Sequence, residues 1–76
     1  IFPQPVHDIL TIDIRNFSGK GWLYIINELG QTVISKEIDF EKKSLRRIEM
    51  SNYAAGIYTV IVQGLEQTEI VRVVKQ

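Results

Sequence analysis

Residues 53–62 read YAAGIYTVIV, in which a glycine turn at Gly56 leads directly into a strand. Alternate residues of a strand face the same side, so Tyr58, Val60 and Val62 share one face. A tyrosine two residues past a glycine turn can bury its ring in a core and turn its hydroxyl back onto the backbone. The stretch therefore predicts a tyrosine corner in a small β-sandwich, with Tyr58 facing the core.

Apolar and polar residues alternate on both sides of this corner. Glycine, asparagine and charged residues separate the alternating runs, and no helical period interrupts them. Six short strands are predicted, at residues 6–14, 22–27, 31–38, 45–50, 57–63 and 68–75. The pattern is typical of an all-β protein. We expect an immunoglobulin-like antiparallel β-sandwich of six to seven short strands, the seventh arising if the first or third strand is split.

The second predicted strand is apolar on both faces. Leu23 and Ile25 lie on one face, and the other face holds Trp22, Tyr24 and Ile26. Either this strand is buried on both sides, or its aromatic face is an exposed interaction surface.

The next turn and strand carry a change of pattern. Residues 27–30 (NELG) predict a hairpin turn, because asparagine can bond to the backbone and glycine accepts a positive φ. In the strand that follows, Val33 and Ile34 are both expected to be buried. The alternation of apolar and polar residues shifts by one position before Ile38, which predicts a β-bulge or a strand that changes partner.

The composition is that of one small folded domain. Residues 1–5 are expected to form a linker end and lead-in, with Pro3 and Pro5 holding the backbone extended, and residues 6–76 a single β-sandwich. Because the first residue is Ile1 rather than methionine, we interpret the chain as a piece of a longer precursor. Nine basic and nine acidic side chains cancel, so no net field attracts nucleic acid or an anionic membrane. Cysteine is absent, which excludes thiolate catalysis, and no apolar run approaches the roughly 20 residues of a membrane-spanning helix.

No set of residues has the spacing of a catalytic, cofactor or metal site, so we expect no enzyme activity. His7 and Asp8 are adjacent and point to opposite faces of a strand, which favours a solvated histidine over a catalytic or metal-binding pair. Asp39 and Glu41 could share a calcium ion, but a solvated charged turn is favoured because the other oxygen ligands of a calcium loop are missing. Four cations within residues 42–47 could dock a phosphate or an anionic lipopolysaccharide group, although their acidic neighbours favour a solvated edge.

Four short blocks follow one another along the whole chain. They are PQPV with Asp8 (residues 3–6 and 8), NELGQTV (27–33), AGIYTV (55–60) and VVKQ (73–76). In this order and over this length, the blocks resemble the C-terminal sorting domain, type A, of the type IX secretion system of Bacteroidetes. Two positions depart from the usual family pattern. Phe2 and Gln4 replace the tyrosine and asparagine of a Tyr-Pro-Asn-Pro lead-in, and Tyr53-Ala54 replaces a Leu-Pro pair.

The resemblance implies a non-enzymatic sorting domain at the C-terminus of an exported cargo protein. An N-terminal signal peptide would bring the cargo to the periplasm, and the domain would direct it through the outer-membrane translocon to the cell surface or beyond. In that family a surface sortase typically removes the domain. The sorting-motif and structural residues would be Pro3, Pro5, Asp8, Gly30, Gly56 and Tyr58. We expect Val73, Val74 and Lys75 to contact the partner, because a terminal strand can lie at a sheet edge.

Two other functions fit the same strands. An adhesive or carbohydrate-binding β-sandwich, appended to a secreted protein, would use Trp22 and Tyr24 as a stacking platform, which requires both rings to be exposed and coplanar. A dimerising spacer would instead form a weak homodimer by pairing edge strands between copies.

Overall fold

The chain folds into two antiparallel sheets that enclose one core. The computed structural model describes residues 8–14, 17–41 and 45–76. The strands of this part are β1 (Ile9–Asp13), β2 (Lys20–Ile26), β3 (Thr32–Asp39), β4 (Leu45–Glu49), β5 (Gly56–Gln63) and β6 (Thr68–Lys75). β1 pairs with β4, and the second sheet has the order β3-β2-β5-β6. The predicted all-β, immunoglobulin-like antiparallel sandwich is confirmed, with six strands among the described residues.

Some predictions fall on residues outside this description. They concern the lead-in at residues 1–5, with Pro3 and Pro5, the histidine His7, and the cations Lys42 and Lys43. The boundary between lead-in and sandwich therefore stays a prediction. Within the described ranges, no helix is long and apolar enough to cross a membrane.

The core is built from the alternate residues that the pattern assigns to the inner faces. On β5, Tyr58, Val60 and Val62 are all buried, as predicted. The other buried apolar side chains are Leu10, Ile12, Ile14, Phe17, Leu23, Ile25, Ile38, Phe40, Ile48, Met50 and Val73. Each large side chain buried in this way contributes about 1.5–3 kcal/mol. Because both sheets supply members, this shared core holds them together.

Strand β3 forms an edge of the four-stranded sheet and is less buried than predicted. Val33 and Ile34 are only half-buried, because a facing sheet of two strands cannot cover all four strands. The predicted bulge is present. Ile25 pairs with Ile34 but Ile26 pairs with Thr32, so Val33 has no residue opposite it.

The outward face of the four-stranded sheet is partly apolar. Trp22, Ile57, Ile70 and Val74 are exposed, and Tyr24 is half-buried. Of the two alternatives for the aromatic face of β2, burial under a second layer is wrong for the described part of the chain. The aromatic side chains are instead accessible from solvent.

Candidate functional site

One end of the sandwich brings together segments that are far apart in the chain. β2 ends there, opposite the beginning of β5. β6 also ends there, since Lys75 pairs with Gly56. β1 begins there, since the backbone N–H of Met50 donates to the carbonyl of Asp8 at 2.6 Å. We call this end the motif pole and define it as residues 8, 27–30, 50–58 and 73–76.

The β2–β3 turn at the motif pole is organised by Asn27. Its side-chain Oδ1 accepts hydrogen bonds from the backbone N–H groups of Leu29 at 3.0 Å and Gln31 at 2.9 Å. The N–H of Gly30 donates to the carbonyl of Asn27 at 3.0 Å. Gly30 has a φ of 84°, in the left-handed region that favours a residue without a Cβ. The turn therefore depends on the side chain of Asn27 and the backbone freedom of Gly30.

Glu28 connects this turn to the glycine turn before β5. Its Oε1 accepts a hydrogen bond from the backbone N–H of Ile57 at 2.9 Å, across 29 residues of sequence. Gly56 has a φ of 154°, and a Cβ added there would overlap the same Oε1 atom. Gly56 thus leaves room for the carboxylate that joins the two turns.

Tyr58 has the geometry of a tyrosine corner. Its ring is buried, and its cross-strand partner on β6 is the buried Val73. Its hydroxyl donates to the carbonyl of Ala54 at 2.6 Å. This bond ties the segment just before β5 to the strand itself, so the ring and the hydroxyl both hold the motif pole in shape.

The surface of the motif pole has a shallow depression with exposed apolar side chains beside it. The depression has a volume of about 170 Å³ and lies between the turn at residues 27–30 and the segment before β5. Leu29 and Ile57 line it and are exposed, and Val74, opposite Ile57 on β6, is exposed as well. Within the described part of the chain, no group of three or more His, Cys, Asp or Glu side chains could hold a metal ion.

The two loop carboxylates considered above as calcium ligands bind backbone amides. Oδ1 of Asp39 accepts from the N–H of Glu41 at 3.0 Å, and Oε1 of Glu41 accepts from the N–H of Gly19 at 2.8 Å. Both bonds lie at the end of the sandwich opposite the motif pole. They give each carboxylate a role in fixing the loops there, in agreement with the favoured interpretation as a charged turn.

Asp8 and the three described sequence blocks, which meet at one pole, agree with the comparison against known families. A family model described as a secretion system C-terminal sorting domain matches residues 1–76, the whole chain. The chain belongs to this family. No curated protein and no solved structure matches it.

The sorting domain is therefore a C-terminal signal for type IX secretion. It interacts with the type IX machinery, and its cargo lies N-terminal to it. The secreted protein is exported to the cell surface or the extracellular space. Because a sorting signal acts by being recognised, its exposed surface is the functional part and its core is the support. The comparisons give no support to an adhesive or carbohydrate-binding module, or to a dimerising spacer, as the function of the chain.

The three terminal residues expected to contact the partner differ in orientation. The side chains of Val73 and Lys75 are buried, and Nζ of Lys75 lies 3.3 Å from the carbonyl oxygen of Gln76, to which it donates. Val74 faces outward and is exposed, next to Ile57 on the neighbouring strand. Of the three, Val74 is the one whose side chain can meet a partner.

Two members of the motif pole were not singled out from the sequence. Glu28 lies in a turn motif, but nothing in the sequence around it indicates a bond to an amide 29 residues away. Leu29 is 83% exposed at the tip of the turn. A large apolar residue at the second central position of a hairpin turn is the signal that could have marked it, since such positions normally hold polar or small residues.

We expect Gly56→Ala to destabilise the sorting domain by about 1–3 kcal/mol, the usual cost of a backbone conformation that suits only glycine. Part of this cost comes from displacing the Glu28 carboxylate. In a Glu28→Ala background, the cost of Gly56→Ala should therefore fall, as a double-mutant cycle by urea denaturation would show.

Gly30→Ala is the matched control for this cycle, because a Cβ at Gly30 would meet no atom within 4 Å. It should cost about 1–2 kcal/mol for its left-handed backbone alone, with or without Glu28. If Glu28→Ala lowered the cost of both glycine substitutions by the same amount, the contact between Glu28 and Gly56 would be contradicted.

Proposed function

We propose that the type IX translocon recognises the motif pole and that the end of β6 is its principal contact. The observation that supports the proposal is the convergence of the sequence blocks that carry the family resemblance. Asp8 and the blocks around Gly30, Gly56 and Lys75 are widely separated in sequence, and backbone pairing and hydrogen bonds bring them to one end of the sandwich. A signal that is read as a folded surface requires this kind of assembly.

Buried and exposed members of the motif pole have different tasks in this proposal. Gly56, Tyr58 and Val73 hold the pole in one conformation through packing and hydrogen bonds. Leu29 and Val74 present apolar surface to the partner. An interface with an apolar centre and a polar rim is the usual form of protein recognition sites. The exposed apolar pair therefore supplies the contact, and the buried residues fix its shape.

We expect Val74→Glu to reduce delivery of a fused reporter to the cell surface by about tenfold or more, because a charge placed in an apolar contact loses its hydration without a partner. The reporter would be a fluorescent protein with an N-terminal signal peptide and this chain at its C-terminus, expressed in a Bacteroidetes host. Surface delivery would be measured by protease accessibility on intact cells.

Ile70→Glu is the matched control. Ile70 is exposed on the same strand and the same face as Val74, four residues earlier and away from the motif pole. Delivery of this variant should equal that of the unsubstituted fusion. Equal delivery of both variants, with equal melting temperatures of the isolated domains, would contradict recognition through the end of β6.

The route of export is a further part of the proposal. The cargo crosses the periplasm before it meets the translocon, and a surface sortase then removes the domain. Removal would shorten the reporter by about the mass of this chain, 8.8 kDa. Immunoblots of surface-exposed reporter measure this difference. A surface reporter that still carries the 8.8 kDa of the domain would contradict removal and leave the sorting function untouched.

Strand β3 is an unfavourable edge for the weak homodimer that is expected from pairing of edge strands. On β3, Lys36 lies opposite the buried Leu23 and so on the core side of the sheet, and the bulge at Val33 interrupts the ladder. An inward charge and a bulge both discourage strand addition. A homodimer would therefore use a strand other than β3, and light scattering at several concentrations tests whether it forms.

A further inference from the structure

The outward face of β2 carries two aromatic rings in a parallel arrangement. The ring centroids of Trp22 and Tyr24 are 6.2 Å apart, and their planes differ by 13°. Trp22 is 43% exposed and Tyr24 is half-buried. Glu37 on β3 and Gln63 on β5 are the residues directly opposite Trp22. The rings, which we call the aromatic platform, thus have polar residues on both neighbouring strands.

A shallow depression lies beside the aromatic platform. Its volume is about 440 Å³, and it is open to solvent. Its walls include Lys20, Glu37 and Gln63, together with the exposed Leu65. The single positive and single negative side chain offset each other. The lining therefore combines flat apolar surface with hydrogen-bonding groups and has no net charge.

We propose that the aromatic platform binds a neutral saccharide in addition to the domain's role in sorting. A pyranose ring has an apolar C–H face, which can lie on aromatic rings, and an edge of hydroxyl groups that both donate and accept hydrogen bonds. Lys20, Glu37 and Gln63 supply donors and acceptors for such an edge. The occupant stacks on the exposed ring of Trp22, which Tyr24 supports by stacking against it, and bonds to these three side chains.

The polar lining is what favours a saccharide over other occupants. An apolar protein surface would leave three polar side chains without hydration or partners, which is unfavourable. A charged ligand would be attracted by one of Lys20 and Glu37 and repelled by the other, because both side chains line the same depression. A neutral molecule rich in hydroxyl groups meets neither difficulty.

The aromatic platform is separate from the motif pole. Trp22 lies opposite Gln63, the last residue of β5, whereas the motif pole includes Gly56, the first. The two ends of this strand are about 23 Å apart at 3.3 Å per residue. Saccharide binding and recognition by the translocon can therefore be tested independently.

The test uses the purified 76-residue chain in native gels that contain hydroxyethyl cellulose, xylan, galactomannan or laminarin. We expect at least one of these neutral polysaccharides to retard the domain, and Trp22→Ala to weaken that retardation by about tenfold or more. Trp22→Tyr keeps a stacking ring and should retain part of it. Trp22 is the single tryptophan of the chain, so its fluorescence gives a second reading when the matching oligosaccharide is added.

Ile70→Ala is the control, because Ile70 is exposed on the same sheet face but outside the depression. It should leave the retardation unchanged. Three results would overturn the proposal: no retardation by any of the four polysaccharides, retardation that Trp22→Ala does not affect, or equal weakening by Ile70→Ala. If no polysaccharide retards the domain and sedimentation shows dimers that Trp22→Ala removes, the face binds a second copy and the proposal is wrong.

Discussion

Tyr58→Ala is expected to destabilise the sorting domain by about 3–5 kcal/mol, the usual range for emptying a large aromatic site in a core. The ring is only 5% exposed and lies opposite Val73 on β6. A domain of this length has a total stability of about 4–11 kcal/mol, at 0.05–0.15 kcal/mol per residue. The substitution therefore removes a large share of the stability, and the midpoint of thermal unfolding should fall by more than about 12 °C.

Tyr58→Phe separates the ring from the hydroxyl. It keeps the ring and loses the bond to the Ala54 carbonyl, which should cost about 0.5–1.5 kcal/mol, the usual net value of one hydrogen bond. Circular dichroism during heating measures both variants. A melting temperature of Tyr58→Ala equal to that of the unsubstituted domain would show that the corner does not support the fold.

Gly21→Ala is expected to cost about 3 kcal/mol, at the upper end of the usual cost of forcing extra atoms into a packed site. A Cβ at Gly21 would overlap the backbone carbonyl oxygen of Gln63 and approach the ring of Phe40 to 2.6 Å. Relief requires β2 and β5 to move apart, because a backbone oxygen cannot turn away as a flexible side chain can. Urea denaturation followed by far-ultraviolet circular dichroism measures the loss.

Gly19→Ala is the control for this prediction. Gly19 precedes β2 by one residue and has a φ of 71°, but the nearest atom to an added Cβ is a terminal carbon of Leu65 at 3.8 Å. Gly19→Ala should destabilise the domain by about 1–2 kcal/mol, which is the cost of placing a side chain on a left-handed backbone. A smaller loss at Gly21 than at Gly19 would contradict the close approach of β2 and β5.

Local periodicity was enough to predict the inner faces of the strands. Tyr58, Val60 and Val62 could be assigned to the core because a strand repeats every two residues and no residue of this run breaks the alternation. The position of Tyr58 after a glycine turn also indicated that its hydroxyl would bond to the backbone nearby. Its acceptor, the Ala54 carbonyl, lies four residues away. Such short-range features follow from the sequence because the chain itself holds the two groups close together.

Contacts between distant segments could not be predicted in the same way. The bond from Ile57 to Glu28 depends on β2 and β5 being neighbours, and periodicity does not specify which strands pair. The partial exposure of Val33 and Ile34 has the same origin, since it follows from the edge position of β3. Burial depends on how many strands the facing sheet has, which is a property of the assembled fold.

The motif pole relates the sequence blocks of the family to one surface of the fold. The order of the blocks along the chain resembles that of a sorting domain. It does not show which surface of the domain is recognised. In the fold, Asp8 and the three blocks from residue 27 onwards meet at one end, where Gly56 and Tyr58 are structural and Leu29 and Val74 are exposed. A substitution at the first pair should reduce sorting by destabilising the domain. A substitution at the second pair should reduce sorting and leave the melting temperature unchanged.

Site-specific photocrosslinking in the secreting host tests most directly whether the motif pole is the recognised surface. A photoreactive amino acid would replace either Leu29, 83% exposed at the motif pole, or Leu65, 84% exposed in the turn at the opposite end. Equal exposure makes the two positions a matched pair. We expect Leu29 to crosslink to a component of the outer-membrane translocon, identified by mass spectrometry, and Leu65 not to do so. Crosslinking from Leu65 alone, or equally from both positions, would contradict recognition through the motif pole.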